Sequence, residues 1–453
     1  MKVVVAGAGF AGLAAAIRLQ EQRHQVTLLE RRGILGGRAS SFRDALFGED
    51  VDNGTHLMIG AYTATLDLLR RAGAEDLLLE QDNLRLDWID EQGLTSLRCP
   101  PVSAPLHLLL GLLSLRVPWK VRWQALRLGL AVRFGRVPET ATLAEYLERC
   151  GQGPEARRLL WDPLATAILN ETPEQAPARL FHRVYQEAFL ASHRASRLIF
   201  LRCGWSVLHD RLARYFESRG GTLRRGARLD AVELRNGAVA GVRCQQRAAS
   251  RAAIQQGAAA RGQHIDTDAV VLAVPWYAVA DVLPETLRRE APFAALSELG
   301  AAPIVSVELW LDRVVVEHVM VGLRDCEMEW VFDKGRLYGR SGAPQHLGFI
   351  VSAARRSLTR SRAALVASAE EALRRFFPAM SGAQVLRALV LREAQGTFAA
   401  SPALEGLRPG VETPIKGLFL AGDWTATGLP ATIEGAVRSG DAAARALVAF
   451  ARS

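Results

Sequence analysis

Three glycines near the start of the chain have the spacing of a phosphate-binding turn. Gly7, Gly9 and Gly12 follow a run of β-branched residues and lead into a run of alanines and leucines. Gly7 permits a tight turn, Gly9 lets a pyrophosphate approach the backbone, and Gly12 lets a helix pack closely on a sheet. Free N–H groups at the start of that helix attract phosphate. We therefore predict that this loop, which includes Ala11, binds a nucleotide.

A carboxylate lies where the ribose of such a nucleotide is expected. The second apolar run, residues 26–30, ends in Glu30, which can accept hydrogen bonds from both ribose hydroxyls. Strand, glycine turn, helix, strand and terminal acid then follow in the order of a βαβ dinucleotide-binding unit. A purely structural glycine turn is the alternative, but it leaves Glu30 without a role.

The residues after Glu30 indicate which dinucleotide is bound. The segment 31–38 contains Arg31 and the run Gly36, Gly37 and Arg38. It resembles the second signature of the glutathione-reductase-like flavoproteins, in the branch that contains amine oxidases, phytoene desaturases and protoporphyrinogen oxidases. The resemblance implies that the Gly-Gly-Arg run lies along the pyrophosphate of FAD. FAD, bound tightly but without a covalent link, is therefore the expected cofactor.

Further cofactor contacts are implied by the same resemblance. Gly422 and Asp423 follow an apolar strand, and Asp423 is expected to bind the ribityl or pyrophosphate part of FAD. The last helix opens around Thr432 and Ile433, so its N-terminal N–H groups would face the flavin and stabilise negative charge on it. Leu229 corresponds to the small apolar residue whose backbone pairs with the adenine.

Cofactor signatures at both ends of the chain imply a discontinuous cofactor domain. We predict an α/β fold like that of the amine oxidases. It would consist of a glutathione-reductase-like FAD-binding Rossmann domain and an inserted α+β substrate domain, built from a mixed sheet and helices. The expected limits are 1–80, 200–280 and 395–453 for the FAD-binding domain, and 81–199 and 281–394 for the substrate-binding domain. Residues 330–337 are predicted to be a strand, and residues 248–263 a variable hairpin loop without a catalytic role.

Composition narrows the environment and the partners. The 453 residues include 56 basic and 47 acidic ones, a formal net charge of +9. No nucleic-acid motif accompanies this charge, so nucleic acid is not an expected partner. The five cysteines form no Cys-x-x-Cys pair, which favours a reducing cytoplasm and argues against a structural metal site. No signal peptide is expected, and no apolar run reaches the roughly 18 residues of a membrane span.

Residues 104–136 differ from the rest of the chain in composition. A leucine-rich run, residues 106–115, is followed by Trp119 and Trp123 among arginines. Such a pattern suits a pair of helices lying in a membrane interface, which would place the protein peripherally on the inner face of the cell membrane. The alternative is a helical cap over an apolar substrate cavity. Both descriptions can hold, since a cap can also admit a substrate from lipid.

His56 is the candidate catalytic residue. It lies in the segment 52–62, which in the resembling flavoproteins runs beneath the isoalloxazine ring. One interpretation is a polar group near the flavin or the reacting carbon. The other is a histidine whose ring is satisfied by a backbone carbonyl.

A closer resemblance separates the branches of this superfamily. Many amine oxidases carry a lysine on the strand that matches residues 303–311 and often an aromatic residue where Thr432 lies, and this chain has neither. Essentially the whole chain is similar to the squalene-associated branch of the desaturase-like flavoproteins, the hydroxysqualene dehydroxylases. The segments that carry this similarity are 52–56, 60–62, 163–164, 167–170, 178–181, 303–310, 312–313, 422–425 and 429–434.

The closer resemblance implies a reaction in squalene and hopanoid biosynthesis. Reduced FAD would give a hydride to the carbon of an allylic alcohol, water would leave, and hydroxysqualene would become squalene. The substrate would be a long apolar isoprenoid, handed over by an upstream squalene-synthase-like enzyme, and His56 is the candidate acid. The alternatives are a desaturase or isomerase of a polyene such as phytoene, a flavin amine oxidase, or an FAD-binding chaperone without catalysis.

Overall fold

The computed structural model describes residues 1–246 and 261–452. Most of the loop predicted at 248–263 lies outside the described residues. Its last residues belong to the strand Arg261–Asp266.

A parallel sheet forms the centre of the nucleotide-binding half. Its strands, in spatial order, are Thr222–Arg225, Gln25–Glu30, Lys2–Ala6, Ala269–Leu272 and Leu418–Leu420. Parallel sheets are covered on both faces, which explains why these strands read as nearly continuous apolar runs. They fall within the segments predicted for the FAD-binding domain, although the domain limits themselves remain a prediction.

Helices and a second sheet cover the two faces of this parallel sheet. Phe10–Glu21, Trp205–Ser218 and Ile433–Phe450 share one apolar core with one face. The other face packs against an antiparallel sheet. Its strands are Ala227–Arg235, Ala238–Gln246 and Arg261–Asp266. The chain therefore forms three layers, and the carboxyl ends of the parallel strands open towards the rest of the molecule.

A larger mixed sheet dominates the other half. Its strands in spatial order are Val385–Phe398, Ala301–Leu311, Gln345–Val351, Trp330–Asp333, Met320–Leu323, Arg85–Asp90 and Gly93–Arg98. Alternate residues of a strand face opposite sides. Val305 and Val307 thus pack with the helix Arg362–Phe376, whereas Ile304 faces the nucleotide-binding half.

The remaining elements connect and cover these sheets. Short strands lie at Ser41–Arg43, Asp50–Asp52, Met58–Ile59, Leu78–Glu80 and Leu198–Leu201. The remaining α-helices are Thr63–Arg71, Leu106–Ser114, Trp119–Phe134, Leu143–Arg149, Pro154–Ala156, Asp162–Leu169, Ala178–Val184, Trp276–Val279, Glu285–Arg288, Phe293–Leu296, Lys334–Leu337 and Pro402–Glu405. The described residues also include π-helical segments at Arg157–Trp161 and Tyr185–Leu190. Short 3₁₀ turns are Glu75–Leu77, Ala280–Val282, Ser357–Thr359 and Pro378–Met380.

One strand prediction is only half right. Residues 330–337 were expected to be a strand, but the strand ends at Asp333 and a helical turn, Lys334–Leu337, follows. The Asp333 side chain caps this turn by accepting a hydrogen bond of 2.9 Å from the N–H of Arg336. Capping by aspartate competes with continued strand pairing, and apolar periodicity does not reveal it.

The segment predicted to touch a membrane forms the helices Leu106–Ser114 and Trp119–Phe134. Val121, Leu128 and other residues on their inner faces join the main core. None of the helices in residues 1–246 and 261–452 is both long and apolar enough to cross a bilayer.

Candidate functional site

A cavity of about 750 Å³ lies where the parallel strands end and the mixed sheet begins. Ligands of open α/β folds bind at this edge, outside the carboxyl ends of the strands. The structure brings nearly all predicted site residues to its wall. They are Gly7, Gly9, Ala11, Glu30, Arg31, Gly36, Gly37, Arg38, His56, Leu229, Gly422, Asp423, Thr432 and Ile433.

Gly12 is the exception, because it packs the turn and does not line the cavity. A Cβ atom there would lie 1.8 Å from the carbonyl oxygen of Gly7. Gly7 itself has φ +104°, and a Cβ atom there would lie 2.5 Å from the oxygen of Ala273. A Cβ atom on Gly9 would meet only the oxygen of Gly36, at 3.8 Å, so Gly9 leaves open space on its cavity side. This is the shape that a bound pyrophosphate requires.

Glu30 is held in the position expected for a ribose contact. Its side chain is buried, and its two oxygens accept hydrogen bonds from the N–H of Ala8 at 2.9 Å and of Arg32 at 2.8 Å. Each carboxylate oxygen has a second lone pair available for a hydroxyl. The glycine turn and the oriented carboxylate therefore fit the phosphate and ribose of FAD.

Arg38 and Asp423 join the two ends of the chain at the cavity. The guanidinium of Arg38 pairs with the carboxylate of Asp423 and donates a hydrogen bond of 3.2 Å to the carbonyl of Gly396. The two predicted cofactor segments, 385 residues apart, are thus in direct contact. A cofactor lying along one of them must also pass the other.

The last helix and the strand Ala227–Arg235, which carries Leu229, complete this half of the cavity. Thr432 caps the helix Ile433–Phe450 by accepting a hydrogen bond of 3.0 Å from the N–H of Gly435. Near Leu229 the pairing with the next strand is interrupted before Ala231. Such a bulge leaves backbone groups free of the ladder, as an adenine contact needs. The contacts of all these residues with FAD remain a prediction.

His56 lines the cavity and has features of both interpretations. Its Nε2 atom lies 3.2 Å from the backbone oxygen of Arg38, and its ring packs edge-on against Trp205. Burial lowers the pKa of His56 below its usual 6.5. The ring is therefore neutral at neutral pH, and it becomes a proton donor at Nδ1 only in more acidic solution.

A buried ion pair behind His56 escaped the sequence analysis. The Nζ atom of Lys334 lies 2.5 Å from Oδ2 of Asp52, and the two side chains are 1% and 2% exposed. Asp52 also accepts hydrogen bonds from the hydroxyls of Tyr338, at 2.9 Å, and Ser41, at 2.6 Å. A small cavity between them adjoins His56. The sequence offered one indication that Lys334 is special, because lysine is rare in this arginine-rich chain.

The wall of the cavity away from the cofactor segments is mostly apolar. It contains side chains from both segments of the substrate region, such as Leu84, Leu86, Leu164, Ile168, Phe189, Ile304, Met320, Trp330, Phe332 and Ile350, together with Leu57. Polar residues are interspersed on this wall, among them Asn170 and Thr397. An apolar chain with one polar group is the kind of ligand that such a lining accommodates.

Comparisons with known proteins agree with this geometry. The flavin containing amine oxidoreductase family matches residues 10–448. The chain is 32% identical to the hydroxysqualene dehydroxylase of Rhodopseudomonas palustris, over 100% of this chain and 99% of that protein. It is 30% identical to the hydroxysqualene dehydroxylase of Sinorhizobium fredii, over 98% and 97%. An oxidoreductase from Methanosarcina mazei has the same fold, with a TM-score of 0.74, 19% identity and coverage of 97% and 99%.

The predicted fold class, the flavin cofactor and the enzyme class are confirmed by these matches. The full length of the chain is covered, so the similarity includes both the cofactor segments and the substrate region. The chain belongs to the flavin containing amine oxidoreductase family, in the branch of these hydroxysqualene dehydroxylases, and is an FAD-dependent oxidoreductase.

Proposed function

We propose that the protein reduces hydroxysqualene to squalene as a step of squalene and hopanoid biosynthesis. The observation that carries the proposal is a continuous cavity with the predicted FAD contacts on one side and apolar side chains on the other. The similarity to two hydroxysqualene dehydroxylases over the full chain supports the same substrate. A polyene desaturase or an amine oxidase remains the competing activity.

The reaction needs two electrons and one proton. Reduced FAD, when bound, supplies a hydride. The allylic C–O bond of the substrate breaks, its carbon receives the hydride, and its oxygen takes a proton and leaves as water. The apolar wall excludes water and aligns the isoprenoid chain, while the turn at Gly9 and the carboxylate of Glu30 hold the cofactor against it.

We propose His56 as the proton donor to the leaving oxygen. Because its Nε2 atom faces the carbonyl of Arg38, the proton would come from Nδ1 of the protonated ring. Burial lowers the pKa of His56, so the His56-dependent rate should rise as the pH falls below 6.5. Replacing His56 with alanine should slow the chemical step by about 10²–10⁴-fold and leave FAD content unchanged. An unaltered rate and pH profile would reduce His56 to its structural role.

The activity is tested with photoreduced enzyme under anaerobic conditions. Hydroxysqualene should reoxidise the flavin and yield one squalene per flavin. Phytoene and a primary amine, offered to the enzyme in separate reactions, should exchange no electrons with the flavin. The proposal fails if hydroxysqualene leaves the reduced flavin unchanged, or if the polyene or the amine reacts instead.

We further propose that residues 104–136 bind the surface of the cell membrane from the cytoplasmic side. Leu106, Leu110 and Leu113 are exposed along one face of the first helix. Trp119 and Phe134 are 69% and 77% exposed on the second. Exposed leucine, tryptophan and phenylalanine beside arginines suit the boundary between acyl chains and anionic headgroups. The substrate, handed over by an upstream squalene-synthase-like enzyme, would then enter from lipid.

The membrane proposal is tested by sedimentation with anionic liposomes. Replacing Leu110 and Leu113 with aspartate should move the protein to the supernatant. Leu112 is unsuitable because it packs against the core. Leu386, which is exposed on a strand of the mixed sheet, provides the control, and its replacement with aspartate should leave sedimentation unchanged. Wild-type protein that does not sediment would contradict the membrane proposal and leave the two helices as elements that pack on the core.

A further inference from the structure

Two non-glycine residues in the left-handed conformation meet at the cavity wall. Asn170 ends the helix Asp162–Leu169 with φ +49°, and Ala353 follows a strand of the mixed sheet with φ +46°. The N–H of Ala353 donates a hydrogen bond of 2.7 Å to Oδ1 of Asn170. Asparagine adopts this conformation readily at the end of a helix. For alanine the conformation is unfavourable, and it persists where the surrounding structure holds the residue in place.

The amide of Asn170 uses its remaining hydrogens to hold a hydroxyl. Its Nδ2 atom donates to the carbonyl of Ala302 at 3.1 Å and to Oγ1 of Thr397 at 2.9 Å. Thr397 therefore accepts at its oxygen, and its own proton points elsewhere. Within residues 1–246 and 261–452, no atom accepts a hydrogen bond from this hydroxyl. Thr397 lines the cavity, so its proton is available to a ligand there.

Two other hydroxyls on the same wall are already committed. Ser196 donates to the carbonyl of His193 at 2.9 Å. The hydroxyl of Ser352 bonds to the carboxylate of Glu329. Of these three hydroxyls, only that of Thr397 can donate to a bound molecule. The hydroxyl of Thr55, beside His56, also has no hydrogen-bond partner among the described residues, but it is not held in place by a neighbouring side chain there as Thr397 is by Asn170.

The backbone places Thr397 next to the cofactor segments. Thr397 pairs with Ala302, but the next paired residues along these strands are Glu393 and Ile304. Residues 394–396 therefore bulge out of the ladder, and the carbonyl of Gly396 accepts a hydrogen bond from Arg38. The free hydroxyl proton of Thr397 lies one residue from this contact, where the apolar wall meets the cofactor side. A carbon that receives a hydride from the cofactor must lie at this boundary.

We propose that the hydroxyl of Thr397 donates a hydrogen bond to the hydroxyl oxygen of the substrate, the oxygen that leaves as water. Asn170 is the positioning residue for Thr397. This inference rests on the proposed function and names the group that recognises the polar end of its substrate. The product squalene has no hydroxyl and cannot accept this bond. Thr397 therefore favours substrate over product, while the apolar wall binds both.

The test compares substrate and product on the oxidised holoenzyme. Thr397→Val keeps the shape of the side chain and removes the donor. It should weaken hydroxysqualene binding about tenfold, the effect of one hydrogen bond, and change squalene binding less than twofold. Thr397→Ser should bind both like the wild type. Flavin absorbance reports binding, and FAD content and melting temperature show that each variant is folded.

A second variant tests the positioning role without touching Thr397. Asn170→Gly keeps a residue suited to the left-handed turn but removes the amide, and it should also lower the preference for hydroxysqualene. The inference is overturned if wild-type enzyme turns over hydroxysqualene and Thr397→Val retains the full preference, or loses affinity for both ligands equally. Wild-type enzyme that does not turn over hydroxysqualene would overturn the proposed function as well.

Discussion

Replacing Lys334 with methionine should destabilise the protein strongly, because it leaves a carboxylate buried without its counter-ion. Lys334 and Asp52 are almost fully buried, and methionine has a similar length without a charge. Removing one partner of such a pair typically costs about 3–5 kcal/mol. Tyr338 and Ser41 continue to donate hydrogen bonds to Asp52, so we expect the lower end, about 3 kcal/mol.

The free energy of unfolding is measured by urea denaturation at pH 7 with saturating FAD. The double variant Asp52→Asn/Lys334→Met should recover more than half of the loss, because no unpaired charge remains. Arg374→Met is the matched control, since Arg374 is 60% exposed in its pair with Glu370 and should cost less than about 0.5 kcal/mol.

The same substitution has a second, electrostatic consequence. Asp52 raises and Lys334 lowers the pKa of His56, so Lys334→Met should raise that pKa, as followed by NMR of the imidazole. The reasoning is refuted if Lys334→Met costs less than about 1 kcal/mol, or if the double variant is no more stable than Lys334→Met alone.

Three further predictions concern the cofactor site and acid stability. Glu30→Ala should weaken FAD binding about 10–150-fold, since a charged hydrogen bond contributes about 1.5–3 kcal/mol, and an unchanged dissociation constant in a flavin titration would contradict this. Gly9→Ala should fold but bind FAD poorly, whereas Gly12→Ala should fail to reach a native circular dichroism spectrum, because only the second Cβ atom collides with the backbone. Although burial opposes its ionisation, hydrogen bonds from His346 and other groups lower the pKa of Glu49 from 4.5 to about 2. Glu49 therefore stabilises the folded protein above pH 4.5, and this contribution is lost as the pH falls towards 2. In acid-unfolding experiments the free energy of unfolding of Glu49→Gln should lack this part of the pH dependence.

The sequence by itself determined the nucleotide-binding half. A buried strand, a glycine turn, an alanine-rich helix and a second strand ending in Glu30 are each specified by residues close together in the chain. Backbone freedom at Gly7 and the apolar period of the helix are local properties, so they can be read without knowing the fold. The resemblance to one flavoprotein branch extended this description to the cofactor and the reaction class.

The tertiary structure alone decided which polar groups meet at the cavity. Lys334 and Asp52 are 282 residues apart, and Asn170 and Thr397 are 227 apart. The first pair joins a short strand to a helical turn, and the second joins the end of a helix to a strand of the mixed sheet. Each pair forms only because the fold brings these distant segments into contact. The pattern of apolar residues predicts which face of a strand is buried, but it does not predict which side chain from a distant segment contacts that face. The nucleotide turn could therefore be read from local spacing, whereas the ion pair behind His56 and the free hydroxyl of Thr397 could not.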